Sequence, residues 1–148
     1  MEYLNFSNIG FHLKIRKPYK SRIILFCAMK KHAKMNGDII VGLTETISLV
    51  SNDGKVQDVM AKIDTGATRS SIDIKLASKL NLGPVIKSKM VRSAHGNKLR
   101  PIVEANLLLA GKKIKSEFTL ADRSNMKYDV LIGVNVLKQG FLVDPSKE

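Results

Sequence analysis

Ala61-Lys62-Ile63-Asp64-Thr65-Gly66-Ala67-Thr68-Arg69-Ser70-Ser71 is the stretch on which the reading of this chain turns. Alternating apolar residues lead into an acid, a hydroxyl and a glycine, and small residues follow. Asp-Thr-Gly alone is a weak signal: each type makes up about 5–7% of residues, so a chance match in this length is roughly 3%. The plain use of such an aspartate is a turn, or an N-cap for a helix starting near Ser71. The setting says more. Residues 55–63 before it read as a strand, and a second apolar-apolar-glycine element, Leu131-Ile132-Gly133, lies downstream.

Outward from this stretch the pattern is regular. Residues 39–41 and 46–50 are mostly β-branched, and Asp53-Gly54 signals a hairpin turn. Ile72, Leu76 and Leu80, spaced by four, predict a short helix over 71–81, with Gly83 beyond as its stop. Residues 85–92 and 99–110 look extended, separated by Ala94-His95-Gly96-Asn97-Lys98, which has the composition of a turn. Gly111 marks the next reversal, and 112–120 alternate loosely. Val130-Leu131-Ile132 reads as a buried strand, 133–139 as one or two helical turns, and Phe141-Leu142-Val143 as a last strand. Short strands, frequent turns and one small helix predict a mostly-β, barrel-like fold.

Length and composition narrow the function. The chain has 148 residues, enough for one domain with a real core. A single cysteine, Cys27, excludes an intramolecular disulfide and a cysteine-built zinc site. His12, His32 and His95 are widely spaced, with no H-E-x-x-H, so no metal or other cofactor is expected. Aromatics at 5%, with no Trp, weaken any stacking platform for single-stranded nucleic acid. The apolar run 23–29 is far shorter than the ~20 residues a membrane-spanning helix needs. Basic residues follow it where a signal peptide would carry small ones. A cytoplasmic protein with no membrane association is expected.

The charge is uneven. Twenty-five Lys and Arg face 13 Asp and Glu, a net +12. Residues 1–37 hold eight bases against Glu2 alone, so over half the excess sits in the first quarter of the chain. The reading is therefore a basic, loosely structured extension over 1–37 and a folded domain over 38–148. Such a balance favours acidic partners, nucleic acid included, with residues 11–34 as the contact.

Asp64-Thr65-Gly66-Ala67, followed by Leu131-Ile132-Gly133-Val134-Asn135-Val136-Leu137, resembles the retropepsin-like aspartic proteases, the family of the retroviral enzymes. The likeness is closer to a prokaryotic branch often labelled "ATP-dependent zinc protease". That branch is similar at Arg100-Pro101-Ile102-Val103, at 119–126 and at 141–145, and the resemblance covers roughly 38–146. It implies a closed β-barrel with one short helix and a C-terminal helical turn, working as a two-fold homodimer. Asp64 would be catalytic, Thr65, Gly66 and Ala67 its loop, and a flap would cover the cleft. Relatives in the branch are linked to ligases that add glutamates to proteins, which implies acidic or glutamyl-rich peptide substrates. For the zinc of the label the sequence offers no ligand cluster. Retroviral members commonly carry an acid after Asp-Thr-Gly-Ala and an Arg after the downstream glycine, and these pair. Here Thr68 and Val134 stand there, so both halves of the ion pair are missing together.

The chemistry of the motif stands without the family. Cleaving a peptide by general acid–base catalysis needs one carboxylate to take a proton from water and one to donate to the amide. Two carboxyls about 3 Å apart share a proton because they cannot both ionise. One chain supplies one Asp-Thr-Gly, so the second carboxylate must come from another copy across a two-fold axis. Gly66 allows close approach of the two loops, Thr65 can bond across the axis, and Ala67 leaves the floor open. The flap candidate is the hairpin near Ser93–Lys98, with His95, Gly96 and Asn97 at its tip. Asp73, Asp122, Asp129 and Asp144 read as cap, turn or salt-bridge residues. The competing reading is a non-catalytic, basic, dimeric binding protein that contacts RNA or the ribosome through its extension.

Overall fold

The computed structural model describes residues 4–5, 12–13, 32–94 and 96–147. Most of the extension, including most of the proposed nucleic-acid contact over 11–34, lies outside them. Leu4–Asn5 (β1) and His12–Leu13 (β2) pair antiparallel. The body begins with β3 (Lys34–Met35), β4 (Asp38–Val41), β5 (Thr44–Val50) and β6 (Val56–Ile63). β7 (Ser70–Asp73), helix α1 (Ile74–Lys79), β8 (Val85–Ser93), β9 (Gly96–Leu109) and β10 (Lys112–Ala121) follow. β11 (Val130–Ile132), helix α2 (Val134–Leu137) and β12 (Phe141–Val143) complete it.

The main sheet runs β10-β7-β11-β6-β5-β9-β8, and a β10–β9 ladder closes six of these strands into a barrel. Closure leaves β8 outside as an arm, paired only with the first half of the long β9. The mostly-β barrel with a short helix and a C-terminal helical turn is thus the observed fold. Alternation drives it: in β5 the inward Glu45, Ile47 and Leu49 are buried while their neighbours are half-buried. Ile47, Leu49, Ile72, Leu107, Ile114, Phe118 and Ile132 are fully enclosed in one core. Each such side chain contributes about 1.5–3 kcal/mol of burial. The turns obey local chemistry. Ala110 (φ 51°) and Gly111 (φ 77°) link paired Leu109 and Lys112, two positive-φ residues as a tight hairpin of this hand requires.

Two expectations need correction. The helix expected over 71–81 begins only at Ile74, because residues 70–73 form β7, paired to β10 on one side and β11 on the other. Ile72 is fully buried from a strand, and Leu76, Ala77 and Leu80 are buried from the helical segment. Asp73 ends the strand and caps the helix, accepting from the Lys75 N–H at 3.0 Å. Second, contacts of the folded body reach back before residue 38. β3 pairs with β4 through Asn36-Gly37, both at positive φ, and His32 Nε2 lies 3.1 Å from buried Glu45. β12 lies parallel to β4 on its other edge.

Candidate active site

Asp64 follows β6, whose parallel partner is β11, and β11 is wedged between β6 and β7. That crossing brings the two glycine elements together. The Asp64 N–H donates to Ile132 O at 2.9 Å, so the aspartate leaves the sheet where Gly133 does. Gly66 N–H donates to Asp64 Oδ1 at 2.8 Å and Ala67 N–H to Asp64 O at 3.3 Å, closing the loop on itself. The second element holds it from behind: Val134 N–H donates to Ala67 O at 2.8 Å and Asn135 N–H to Thr68 O at 3.2 Å.

Gly133 is required by space. A Cβ there would stand 2.6 Å from Arg69 C and 2.7 Å from Ala67 O, both backbone. Its N–H donates to Ser70 Oγ at 2.9 Å. Asn135 completes the brace, its Oδ1 accepting from Ser70 N–H (2.7 Å) and Ser70 Oγ–H (2.9 Å). Its Nδ2 donates to Glu117 O (2.8 Å) and Ser116 Oγ (3.0 Å). The floor is rigid and the top is open. Thr65, Gly66 and Thr68 are exposed, while Asp64 and Ala67 are half-buried.

Leu131 and Ile132 are placed by the β11 ladder, Leu131 opposite Lys62 and Ser71. At Thr68 and Val134 there is no ion pair. A different one stands beside them: Glu117 Oε2 meets Arg69 Nη1 at 2.5 Å, and Oε1 meets Lys87 Nζ at 2.5 Å. These two cations hold the Glu117 carboxyl below its usual range. Glu117 and Arg69 also line an open pocket of about 450 Å³, with Thr68, Lys89, Ser116 and Val134 around it.

The flap candidate is a real hairpin, but its tip differs from expectation. Ser93 pairs with Gly96 and Arg92 with Asn97, so Asn97 belongs to the ladder, not the turn. Gly96, at φ 99°, takes the left-handed step itself and returns Asn97 to extended backbone. His95 lies outside the described residues.

The other acids serve locally. Asp73 caps α1 and also accepts from Arg123 N–H at 2.7 Å. Asp122 and Asp144 accept from the N–H and hydroxyl of Ser124 and Ser146, which keeps both carboxyls below the ordinary range. Asp129 accepts from Asp73 N–H through its backbone oxygen at 2.8 Å. Arg123 was not singled out by sequence. Its Nε donates to Tyr128 O (2.8 Å) and its Nη1 to Ser71 Oγ (3.0 Å). Burial first, then the nearby Arg100, lowers its pKa, opposed by Asp129, Asp73 and Asp64. Asp64 is thus within electrostatic reach of a fixed cation.

A family model for the RimB-like proteins, described as retropepsin-like aspartic endopeptidase RimB, matches residues 75–148, half of the chain. The chain belongs to the RimB-like family. The match starts eleven residues after Asp64, so the RimB-like assignment and the geometry of the Asp64 loop are independent observations. A Legionella pneumophila protein of unknown function is similar in structure, with 22% identity, TM-score 0.51, and 76% of this chain and 95% of that one covered. EIAV protease complexed with an inhibitor is similar at 18% identity and TM-score 0.52, covering 76% of this chain and 90% of its own. Both likenesses carry the RimB-like chain's fold. No curated protein matches it. Among the described residues no helix is long and apolar enough to cross a membrane.

Proposed function

We propose that this member of the RimB-like family is an aspartic endopeptidase that works as a homodimer. Asp64 from each copy shares one proton and activates water for attack on the peptide carbonyl. The observation that carries the reading is Asp64 itself. Its Oδ1 is fixed by Gly66 N–H on a loop braced from behind, and the carboxylate is half-buried on an otherwise exposed rim. A symmetry-related copy facing that rim would bring the second carboxylate to the first and bury both loops, so that the two cannot both ionise. Thr65 then bonds across the axis and Leu131-Ile132-Gly133 backs the floor. The β8–β9 hairpin, with Gly96 near its tip, covers the cleft.

Acidic or glutamyl-rich peptides are the substrate class within this reading, supported by the chain's +12 charge and by the family resemblance. A cytoplasmic site of action belongs to the same reading. The test is to incubate the purified protein with acidic and unbiased peptide pools, with and without a pepstatin-type inhibitor and with excess EDTA. Cleavage blocked by the inhibitor, indifferent to EDTA and falling per chain on dilution is expected. Activity lost only with EDTA, or carried by a monomer in sedimentation, overturns the proposal.

A further inference from the structure

Glu117 stands where three elements meet. The parallel β7–β10 register pairs Ser70 with Phe118, so Arg69 lies one step before that pair and beside Glu117. On the other side a bulge at the start of β8 changes register between Val85 and Lys87, leaving Ile86 as the extra residue. A bulge re-aims the side chain that follows it, and Lys87 is turned onto Glu117. The carboxylate spends one oxygen on each cation, both at 2.5 Å. Its backbone oxygen takes Asn135 Nδ2–H, which ties the same residue to the brace under the Asp64 loop.

The Arg69 end depends on this contact. Arg69 Nε is buried with no partner among the described residues, and Nη1 on Glu117 anchors the guanidinium. The Lys87 end is the exposed one, with the lysine side chain about half accessible. Among the described residues β8 has no other neighbour in the sheet than β9. The bridge from Lys87 therefore links the root of the hairpin arm to the loop that carries the aspartate. It does so next to Thr68 and Val134, where the retroviral-type pair is missing.

We propose that Glu117 is a positioning residue for the peptidase reaction: it clamps the root of the β8–β9 arm to the Asp64 loop and sets the height of the cover over the cleft. The clamp rests on the reading of the protein as a peptidase with that arm as its flap. Glu117 touches no reacting atom; it acts through Arg69 on one side and Lys87 on the other.

The test uses the full chain and three variants, Lys87→Met, Glu117→Gln and Glu117→Asp. Steady-state cleavage of a peptide selected from the pools is measured beside amide hydrogen exchange over residues 85–103. Lys87→Met leaves Arg69 paired and the fold untouched. It should raise KM roughly 10-fold with kcat little changed, since a loosened cover weakens ground-state and transition-state binding alike while the Asp64 loop keeps its Arg69 contact. Exchange in the arm should quicken while the unfolding midpoint stays at the wild-type value. Glu117→Gln should lower kcat as well, because the Arg69 end is lost, and Glu117→Asp should recover part of both constants. Wild-type KM, kcat and exchange in Lys87→Met overturn the clamp while leaving the peptidase reading intact. A wild-type chain that cleaves nothing overturns the peptidase reading instead. Exchange then decides the clamp alone: unchanged protection in both Lys87→Met and Glu117→Gln refutes it.

Discussion

Two aspartates flank β6, one before each of two glycine-bearing turns, and they are used in opposite ways. Asp53 precedes Gly54 where the chain enters the strand; Asp64 precedes Thr65-Gly66 where it leaves. Asp53 is spent on its own turn. It accepts from Ser51 Oγ and pairs with Lys55 Nζ at 2.9 Å, and these partners pull its pKa to about 2. The Ser51–Lys55 turn is otherwise closed by its own backbone, Ser51 N–H to Lys55 O at 2.8 Å. Asp64 uses one oxygen to accept from Gly66 N–H, and its second oxygen has no partner among the described residues. Its loop is closed by Ala67 N–H on Asp64 O and is also held by residues 65 positions downstream. Asp53 completes its hydrogen bonds within its turn; Asp64 is fixed at one oxygen and left open at the other, the arrangement its proposed role needs.

The largest effect should come from breaking that second pattern. Asp64→Asn keeps shape and the Gly66 contact but removes the titratable proton. Loss of one general acid–base typically costs ~10²–10⁴-fold, and in a homodimer both copies change together. Turnover should vanish with the unfolding midpoint preserved. Asp53→Asn should leave turnover untouched. An active Asp64→Asn variant would erase the distinction between the two turns.

Next is the brace. Gly133→Ala drives a methyl against backbone at Arg69 and Ala67, neither of which can rotate away. Overpacking typically costs about 1–3 kcal/mol, more where backbone must shift. Here the shift falls on the Asp64 loop, so activity should fall further than stability. Gly54→Ala is the counterpart: it meets open space and only the strain of φ 80°. Thermal unfolding and cleavage measured on both variants give the comparison, and a Gly133→Ala chain with native activity would refute the brace.

This contrast also explains how much could be read beforehand. The strands of the barrel, Asp64-Thr65-Gly66 and Leu131-Ile132-Gly133 were legible because alternation and small-residue loops are local signals. β7 was not: Ile72, Leu76 and Leu80 fit a helix, and only pairing with β10 and β11 makes Ser70–Asp73 a strand. Glu117, Asn135 and Arg123 were equally hidden, since each acts across 18 to 65 residues of chain or holds a loop from another strand. The Asn36-Gly37 dipeptide was a visible hairpin signal, and weighing it would have moved the start of the fold back from residue 38.

That earlier start has a measurable consequence, smaller again. Glu45 is buried; Oε1 accepts from Gly42 N–H at 2.9 Å and Oε2 faces His32. A chain starting at Met35 loses His32 and also Ala33, whose oxygen accepts from Ile40 N–H at 2.9 Å. Leaving a buried acceptor short of a partner costs about 1–3 kcal/mol. A chain starting at His32 should therefore unfold at a higher temperature than one starting at Met35, with turnover equal in both. Equal midpoints would mean that the Glu45 end of the barrel does not depend on these residues.

The smallest effect is the pH response of Asp53. Its pKa lies near 2 in the folded chain against an ordinary 3.8, because the Ser51 hydroxyl and Lys55 favour the charged form. A depressed carboxylate pKa adds stability that is complete above 3.8 and drains away as pH falls toward 2. The group is fully exposed, so solvent screens the interaction and the gain is slight. Thermal midpoints taken from pH 5 to pH 2 should show wild type and Asp53→Asn converging as the acid is protonated, with wild type higher at pH 5. Because Asp53 is remote in role from the open oxygen of Asp64, the cleavage profile of the two proteins should coincide over the same range. A displaced cleavage profile in Asp53→Asn would show that the two ends of β6 are coupled, and that the closed turn bears on the open one.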